Sequence, residues 1–392
     1  MQAVILAAGN GIRFLPLSEN KPKPLFSLFG KTILEYNLDE LNGLAKEVII
    51  IVGYKKEMIM EKIGKKYGSM KITYIEDNNV EGTGSSARLA YPLLKDKFLL
   101  LNGDDFYARE DIKKAIDKFP SILVKEHENP SCFGVIDEEE GYAKNIVEKP
   151  SNPPSKLVNA ALYCLPREIF DYKIEKSERG EYEFTDYIRK FIHEKRLHVC
   201  EASFWVPASY PWDIFNAVPR LFKKQKKSKK VKIEKGAVLK GDVIVKEGTV
   251  IKSGVYVEGP VYIGKNCLIG PNCFLRAGTV IEDGCRIGQA VEVKNSLIGK
   301  GTFASHLAYI GDSIIGEKCN FGAGTITANF RHDKGSIKTM VKGELIDTKR
   351  TKFGTVMGDN VKTGIHTIIY PGRKIGSNKT TLPGEKVEKD IL

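Results

Sequence analysis

The sequence predicts an α/β protein, a Rossmann-like doubly wound domain followed by a left-handed parallel β-helix of hexapeptide repeats. The first domain is indicated by alternating strand-like and helix-like segments, and the second by aliphatic residues spaced six apart. A length of 392 residues is too great for one ordinary core and fits two domains. We expect the first domain at 1–222, a Lys-rich linker at 223–232 and the second domain at 233–392.

The N-terminal half alternates apolar runs with amphipathic segments, which predicts a parallel sheet with right-handed crossovers. The predicted strands cover 3–7, 47–52, 71–75 and 97–101, and the predicted helices cover 33–44, 55–67 and 84–94. After residue 120 the pattern becomes irregular, with short strands expected near 121–125, 132–136 and 158–164. Irregular excursions of this kind often carry part of a substrate site.

The C-terminal half contains a strict repeat. An aliphatic residue recurs every six positions from Ile233 to Val293, eleven times in succession, and the spacing resumes at Met357. Neither an α-helix nor a meander has this period. A triangular solenoid does, because each flat side takes one hexapeptide and its aliphatic residue points inward. Flat outer walls can pack between subunits, so we expect a homotrimer.

Composition restricts the class of partner. No apolar run reaches the length of about 18 residues that a membrane helix needs, and the seven cysteines form no Cys-x-x-Cys pair. We therefore expect a cytoplasmic protein with free thiols and no membrane partner. The net charge is +12, but the Lys-rich stretch 223–230 has no aromatic residue to stack on bases. We therefore favour a solvated linker at this stretch over a nucleic-acid site. The positive net charge is also suited to binding small anionic substrates.

A glycine turn follows the first predicted strand, at Ala8-Gly9-Asn10-Gly11. Such a turn allows backbone amides of Ala8, Gly9 and Gly11 to approach the phosphates of a nucleoside triphosphate, and Arg13 and Lys23 can neutralise their charge. The pattern lacks the third glycine of a dinucleotide fingerprint. Read alone, an ordinary strand-to-helix turn is the alternative.

Two aspartates are candidate metal ligands. Asp104 follows the fourth predicted strand, at the carboxyl edge where doubly wound sheets bind ligands, and is placed to hold a Mg²⁺ that bridges phosphate oxygens. Asp213, in Pro211-Trp212-Asp213, is the candidate second ligand. A turn at Asp104 and a helix N-cap at Asp213 are the structural alternatives.

Eight short motifs occur in one order along residues 1–220. They are Leu6-Ala7-Ala8-Gly9, Pro22-Lys23-Pro24, Gly82-Thr83-Gly84, Gly103-Asp104, Phe133-Gly134-Val135, Val147-Glu148-Lys149-Pro150, Asn159-Ala160-Ala161 and Trp212-Asp213. Together they resemble the sugar-1-phosphate nucleotidyltransferases. The resemblance implies that Gly134, Glu148 and Asn159 bind the sugar, that Lys149 meets its phosphate, and that the base lies near Gly82 and Thr83.

The resemblance implies attack by a sugar-1-phosphate oxygen on the α-phosphorus of a nucleoside triphosphate, with pyrophosphate leaving. The attacking phosphate is already an anion, so no general base is needed. Catalysis would then consist of alignment and charge neutralisation by Arg13, Lys23, Lys149 and the metal.

The nucleobase is the point at which the sequence departs from this family. Where relatives place a base-reading Gln, this chain has Glu76 and Asp77. A carboxylate only accepts hydrogen bonds, which suits the two adjacent donors of guanine better than O4 of uracil or thymine. A uridine or thymidine nucleotide is the leading expectation, with a guanosine nucleotide as the alternative.

The second domain contains a longer match, from His306-Leu307-Ala308-Tyr309 to Ala328-Asn329. It resembles the C-terminal half of the bifunctional N-acetylglucosamine-1-phosphate uridyltransferase/glucosamine-1-phosphate acetyltransferase family, particularly its archaeal members. The resemblance implies acetyl transfer from acetyl-CoA to glucosamine-1-phosphate. The attacking amine must lose a proton near neutral pH, and imidazole is suited to accept it, so His306 is the predicted general base.

The same resemblance implies roles for further residues of this domain. Those expected to contact or orient the sugar phosphate are Arg276, Lys294, Tyr309, Asn320, Asn329 and either Lys334 or Lys338. Ala323 is the residue expected to contact the coenzyme. The stretch 342–350 interrupts the six-residue period.

Three functional classes compete. A bifunctional enzyme is favoured because both sets of residues are present. A nucleotidyltransferase, possibly GTP-using, whose β-helix only oligomerises or regulates would not need the His306 block. A non-catalytic scaffold, like the translation-initiation exchange-factor subunits that share both domain types, would not need Arg13, Lys23, Asp104 and Lys149 together.

Overall fold

The computed structural model describes residues 1–392. Its internal contacts divide the chain into two compact units. The first unit contains residues 1–10 and 33–207, and the second contains 11–32 and 208–392. The expected division at 222 and 233 follows the chain, whereas these units interleave, because the segments 11–32 and 208–222 cluster with the C-terminal half. None of the helices combines the length and the apolar character needed to span a membrane.

Fourteen strands and five α-helices lie before residue 208, numbered in chain order. The strands are β1 (Gln2–Ala7), β2 (Ser27–Leu28), β3 (Lys31–Thr32), β4 (Glu47–Val52), β5 (Lys66–Tyr67), β6 (Met70–Glu76), β7 (Lys97–Asn102), β8 (Asp105–Tyr107), β9 (Ser121–Glu126), β10 (Gly134–Glu139), β11 (Tyr142–Glu148), β12 (Leu157–Pro166), β13 (His198–Glu201) and β14 (Trp205–Pro207). The α-helices are α1 (Ile33–Leu41), α2 (Lys56–Ile63), α3 (Thr83–Arg88), α4 (Arg109–Asp117) and α5 (Phe184–Glu194). Short 3₁₀ helices cover Ile12–Phe14, Lys23–Leu25, Tyr91–Leu93, Pro130–Cys132, Arg167–Asp171 and, further on, Pro211–Asp213.

The first unit is built on a ten-stranded sheet with the order β10-β11-β13-β9-β12-β7-β1-β4-β6-β5. Strands β7, β1, β4 and β6 run parallel, and aliphatic runs such as Val48–Val52 are fully buried in them. The four predicted N-terminal strands and the Rossmann-like class are confirmed. The predicted helices end earlier than expected. Gly64, with φ of 72°, stops α2, and Gly43, with φ of 85°, follows α1.

The second unit contains α6 (Ile214–Lys223), the hairpin β2–β3, and strands β15–β37, of which β15–β31 and β34–β37 with their connections are here called the solenoid. These strands are β15 (Lys232–Ile233), β16 (Val238–Lys240), β17 (Val243–Val245), β18 (Val250–Ile251), β19 (Tyr256–Glu258), β20 (Val261–Ile263), β21 (Leu268–Ile269), β22 (Phe274–Arg276), β23 (Thr279–Ile281), β24 (Arg286–Gln289), β25 (Glu292–Lys294), β26 (Leu297–Ile298), β27 (Phe303–His306), β28 (Tyr309–Gly311), β29 (Ile314–Ile315), β30 (Asn320–Phe321), β31 (Ile326–Thr327), β32 (Lys338–Val341), β33 (Glu344–Asp347), β34 (Val356–Met357), β35 (Ile368–Ile369), β36 (Lys374–Ile375) and β37 (Lys386–Val387).

The solenoid has three parallel sheets, and from β15 to β31 successive strands of the chain enter each sheet in turn. Leu239 lies opposite Val257, which lies opposite Leu275, so three hexapeptides make one coil. The repeated aliphatic residues from Ile251 to Val293 are fully buried, as the six-residue spacing predicted. Ile233 is 49% exposed because its strand is the first of its sheet.

The repeat is interrupted where the chain leaves the solenoid. Ile314 pairs with Val356, and the antiparallel hairpin β32–β33 lies between them in the sequence. This insertion accounts for the predicted break at 342–350. The chain returns to the solenoid after Arg350, whose contacts are described below.

Candidate active sites

The turn after β7 holds the two neighbouring aspartates. The amide of Gly103 donates to the carbonyl of Leu6 at 2.8 Å, and a side-chain carbon at Gly103 would lie 2.9 Å from Ile5 Cγ2. Asp105 is buried and accepts from Trp205 Nε1 at 3.2 Å. Asp105 therefore serves the fold, and the half-buried Asp104 remains the candidate metal ligand of this turn. One or two carboxylates suffice for Mg²⁺, which keeps several waters and binds phosphate oxygens.

Three of the predicted sugar-binding residues lie together in the first unit. Gly134 is the register partner of Glu148 across β10 and β11. A side-chain carbon at Gly134 would lie 3.0 Å from Glu148 Oε2 and 3.6 Å from Asn159 Cβ, so glycine leaves the space between them open. Asn159 is buried, and its Nδ2 lies 2.5 Å from the hydroxyl of Tyr163.

Arg179 is a residue of this site that the sequence reasoning missed. Its Nη1 lies 3.4 Å from Glu148 Oε1 and 3.2 Å from Glu183 Oε1. Lys149 Nζ lies 3.6 Å from the same Glu148 oxygen. These residues line an open cleft of about 790 Å³. Burial raises the pKa of Glu183, as does the charge of Glu148, while Arg179 opposes the shift. The sequence could not identify Arg179 as a site residue, because it lies in a loop that contains many other charged residues.

In the region predicted to bind the nucleobase, the backbone at position 82 requires glycine. Gly82 has φ of 125°, and a side-chain carbon there would lie 2.4 Å from the carbonyl oxygen of Tyr182. Thr83 Oγ1 accepts from the amide of Phe184 at 3.0 Å. Glu76, at the end of β6, is ion-paired with Lys56 at 2.6 Å.

The second unit brings Lys23 and Gly11 together. Gly11 has φ of 61°, and a side-chain carbon there would lie 3.3 Å from Lys23 Cβ. Lys23 is buried, and its Nζ donates to the carbonyl of Ala208 at 2.8 Å. Of the other loop residues predicted to bind nucleotide, Ala8 and Gly9 belong to the first unit. Ala8 is buried there, and its carbonyl accepts from the amide of Tyr54 at 3.2 Å.

Asp213 lies in the same unit as Arg13 and Lys23. Its Oδ2 accepts from the amide of Tyr210 at 2.7 Å, and the guanidinium of Arg13 lies 5.8 Å from the Tyr210 ring centroid. Burial raises the pKa of Asp213 to about 6, and the positive charges of Lys23, Arg350 and Arg13 oppose that shift. Burial among cations suits a carboxylate that shares charge with phosphate and metal.

Three of the acetyltransferase candidates, Lys294, Tyr309 and Asn329, belong to a hydrogen-bonded cluster on one sheet of the solenoid. Asp312 is buried, and its Oδ2 accepts from Lys294 Nζ at 3.3 Å and from Asn329 Nδ2 at 2.5 Å. Asn329 Nδ2 also donates to the hydroxyl of Tyr309 at 3.1 Å. Asn295 Nδ2 donates to the other oxygen, Asp312 Oδ1, at 2.7 Å. Three of the predicted residues therefore meet through a carboxylate to which the sequence assigned no role.

Strand register places the rest of this wall. Arg276 lies opposite Lys294, and Lys294 lies opposite Gly311. Arg276 Nη1 donates to Glu292 Oε1 at 2.9 Å. A side-chain carbon at Gly311 would lie 2.5 Å from the hydroxyl of Tyr309 and 2.6 Å from Asn329 Nδ2, so a larger residue there would displace these two groups.

The other predicted acetyltransferase residues lie on neighbouring elements. His306 is exposed and ends β27, and Leu307, with φ of 50°, turns the chain toward β28. Asn320 is exposed on β30, in the same sheet as β27. Ala323 is half-buried, and Lys338 begins the hairpin β32–β33. The contacts described for Asp312 do not reach these four residues.

Comparisons with known proteins cover both halves. Residues 2–212 match a family described as "Nucleotidyl transferase", and residues 257–390 match one described as "GMPPB C-terminal domain". The "Bifunctional protein GlmU" of Methanocaldococcus jannaschii is 40% identical, covering 100% of this chain and 96% of that protein. The "Bifunctional sugar-1-phosphate nucleotidylyltransferase/acetyltransferase" of Sulfurisphaera tokodaii is 39% identical, covering 100% of this chain and 98% of that protein.

A solved structure of a UDP-glucose pyrophosphorylase with UDP-glucose aligns with a TM-score of 0.52 at 21% identity. It covers 57% of this chain and 99% of its own. At this identity the likeness supports the fold of the N-terminal half alone.

Proposed function

Because the chain belongs to the family of bifunctional sugar-1-phosphate nucleotidylyltransferase/acetyltransferases, we propose that it makes a nucleotide sugar and N-acetylates an amino-sugar-1-phosphate. The substrates are a uridine or thymidine triphosphate with N-acetylglucosamine-1-phosphate or glucose-1-phosphate, and acetyl-CoA with glucosamine-1-phosphate. One observation carries the proposal: a full-length match to a bifunctional relative in a chain that retains a polar cluster in each half.

For nucleotidyl transfer, the sugar lies against Gly134, Glu148 and Asn159, and Lys149 contacts its phosphate. The nucleotide binds through Ala8, Gly9 and Gly11 and through the Gly82–Thr83 turn, while Arg13 and Lys23 neutralise the triphosphate. Asp104 and Asp213 are the residues that would hold Mg²⁺, which supplies charge neutralisation at the phosphate oxygens. The sugar phosphate oxygen attacks the α-phosphorus, and pyrophosphate leaves without a covalent intermediate.

For acetyl transfer, His306 takes the proton of the glucosamine amine as its nitrogen attacks the thioester carbonyl, and the coenzyme thiolate leaves. Tyr309, Asn320 and Asn329 orient the sugar. The phosphate is met by Arg276, Lys294 and Lys338, and Ala323 contacts acetyl-CoA. Support comes from the cluster around Asp312, which pairs Lys294 and fixes Asn329 beside Tyr309.

The nucleobase expectation rests on the partners of two carboxylates. Glu76 is ion-paired with Lys56, and the buried Asp77 accepts from the hydroxyl of Ser86 at 2.5 Å. Each carboxylate already accepts from a protein donor that would compete with guanine, and this competition supports UTP or dTTP over GTP. A GTP-using nucleotidyltransferase with a regulatory β-helix is the second candidate.

The proposed assembly is a cytoplasmic homotrimer in which left-handed β-helices pack wall to wall. Large apolar side chains are exposed on the solenoid and its corners, where a second copy can cover them. They include Phe303, Leu307, Ile326 and Phe330.

A product assay tests the proposed activities. Purified protein is incubated with Mg²⁺ and each of UTP, dTTP and GTP against N-acetylglucosamine-1-phosphate and glucose-1-phosphate, and pyrophosphate is measured. Separately, acetyl-CoA is supplied with glucosamine-1-phosphate, and coenzyme A thiol is measured. We expect turnover in both assays, with UTP or dTTP preferred. If the protein releases pyrophosphate but transfers no acetyl group, the β-helix is not catalytic and the second candidate function is favoured.

A further inference from the structure

The segment that carries Arg13 and Lys23 is ion-paired to the solenoid. Lys21 Nζ contacts Glu317 Oε1 and lies 3.3 Å from Asp359 Oδ2. The side chains of Lys21 and Asp359 are only 13% and 11% exposed, and that of Glu317 is 31% exposed. Because water screens this cluster less than a surface pair, it holds Lys21 more firmly than an exposed ion pair would. Lys23 follows two residues later.

The hairpin β2–β3 at the end of this segment is held by a buried carboxyl. Glu282 Oε2 accepts from the amide of Gly30 at 2.9 Å, and Glu282 is 6% exposed. Beside it, the ring of Phe29 meets that of Tyr262 edge-on at 4.9 Å between centroids. Residues before and after Lys23 are therefore both tied to the solenoid.

A second contact reaches the turn that carries Asp213. Arg350, which follows the inserted hairpin, donates from Nη2 to the carbonyl of Trp212 at 3.3 Å and to Asn216 Oδ1 at 3.1 Å. Its guanidinium lies 4.9 Å from the ring centroid of Phe215. The partners of Arg350 thus lie on both sides of Asp213. A planar fork of donors can hold two acceptors in one geometry.

We propose that Glu317 and Arg350, which belong to the β-helix half, are positioning residues for nucleotidyl transfer. Glu317 acts through Lys21 on the segment that carries Arg13 and Lys23, and Arg350 acts on the turn that carries Asp213. The inference rests on the proposed nucleotidyl transfer. Because that reaction depends on alignment and charge neutralisation, small displacements of the phosphate-contacting groups lower its rate.

The test measures both activities in the full-length protein. Lys21→Met and Glu317→Gln are each expected to raise KM for the preferred nucleoside triphosphate about three- to tenfold, as displacement of a phosphate-contacting segment should. KM for the sugar-1-phosphate and the rate of acetyl transfer stay within about twofold of wild type. The double variant is no worse than the stronger single one, because both changes break the same contact.

Arg350 is tested by a graded pair of variants. Arg350→Ala removes both hydrogen bonds and is expected to lower kcat of nucleotidyl transfer about tenfold, because the turn of a candidate metal ligand loosens. Arg350→Lys keeps the charge but replaces the planar fork of donors by a single ammonium group, so part of the rate returns. If these residues served only the overall stability of the protein, their variants would lose both activities together. The Lys21 and Glu317 variants would then show no selective rise in KM, and the Arg350 variants no selective fall in kcat.

Glu247→Gln is the matched control. It removes an ion pair with Lys265 at 2.9 Å on the same solenoid, between side chains that are each about half exposed. Both activities should match wild type. The proposal is overturned if the Glu317 and Arg350 variants keep wild-type nucleotidyl transfer, or if they lose acetyl transfer in parallel. Wild-type protein that releases no pyrophosphate with any tested pair would instead contradict the proposed function.

Discussion

The ammonium of Lys294 lies 3.3 Å from Asp312 Oδ2, an oxygen that also accepts from Asn329 Nδ2 at 2.5 Å. Asp312 is buried, so its charge depends on these donors rather than on water. The carboxylate thereby fixes two residues that the family resemblance implies in sugar-phosphate binding. It also links them to the hydroxyl of Tyr309 through Asn329.

Asp312→Asn should lower kcat/KM of acetyl transfer for glucosamine-1-phosphate at least about tenfold. The amide of Asn would place an N–H group where three donors already converge on the carboxylate. A buried donor that faces another donor costs about 1–3 kcal/mol. Nucleotidyl transfer should be unchanged. The measurement is coenzyme A release at varied sugar phosphate. Asp333→Asn is the control, because it changes an exposed carboxylate that pairs with Arg331 and accepts from the amide of Gly335. Wild-type acetyl transfer in Asp312→Asn would show that the carboxylate does not organise the site.

Arg179→Ala should raise KM for the sugar-1-phosphate about tenfold, because Glu183 then loses this ion pair and Glu148 keeps only Lys149, so the cleft becomes more negative toward the incoming phosphate. KM for the nucleoside triphosphate should change little. Pyrophosphate release at varied sugar phosphate measures the effect. Lys144→Ala removes a cation from an exposed ion pair with Glu139, and neither residue lines the cleft, so this variant serves as the control. Equal KM values in the two variants would exclude Arg179 from the site.

Glu282 should make stability fall as pH rises. Burial raises the pKa of its carboxyl from 4.5 to about 7, so the folded protein binds the proton more tightly than the unfolded chain. Its contribution is fully present below pH 4.5 and is lost as pH rises through 7. The total change is at most about 3 kcal/mol.

The measurement is Tm of wild type, Glu282→Gln and the exposed control Glu247→Gln between pH 5 and 8. Glu282→Gln cannot ionise, so its Tm should fall less than that of wild type over this interval. The control should retain the wild-type slope. Parallel curves for wild type and Glu282→Gln would mean that the carboxyl titrates normally.

The proposed trimer should depend on the exposed apolar residues of the solenoid. Full-length protein at micromolar concentration should sediment as a trimer, and Leu307→Asp should shift it toward smaller species, because a charge placed in an apolar interface loses its hydration. Leu382→Asp, at another exposed apolar site of the second unit, is the comparison. Monomeric wild-type protein would contradict the assembly.

The fold was predictable where one physical pattern dominated. Buried parallel strands such as β4 read as uninterrupted aliphatic runs, and the six-residue period identified the interior positions of the solenoid because its coils repeat that spacing. Helix ends were less predictable, since a positive-φ glycine such as Gly64 decides them locally. The grouping of 11–32 with the C-terminal half depends on contacts between residues hundreds apart, such as Lys21 with Glu317, which no local pattern encodes.

The candidate sites were predictable to the extent that short motifs carry them. Gly134, Glu148 and Asn159 come from three separate motifs, and the structure brings them together. Asp312 and Arg179 were missed because their importance lies in which charged groups surround them. A carboxylate after a Tyr-Ile-Gly strand and an Arg in a charged loop have no distinguishing sequence pattern until those neighbours are known.

The central claim, two activities at separate sites in one chain, is tested most directly by a reciprocal pair of variants assayed for both products. His306→Ala should abolish coenzyme A release from acetyl-CoA and glucosamine-1-phosphate while pyrophosphate release stays near wild type. Asp104→Asn should lower pyrophosphate release at least about a hundredfold, because a candidate metal ligand is lost, while acetyl transfer survives. If each variant, soluble and assembled like wild type, loses both activities or neither, the account of two separate sites is wrong.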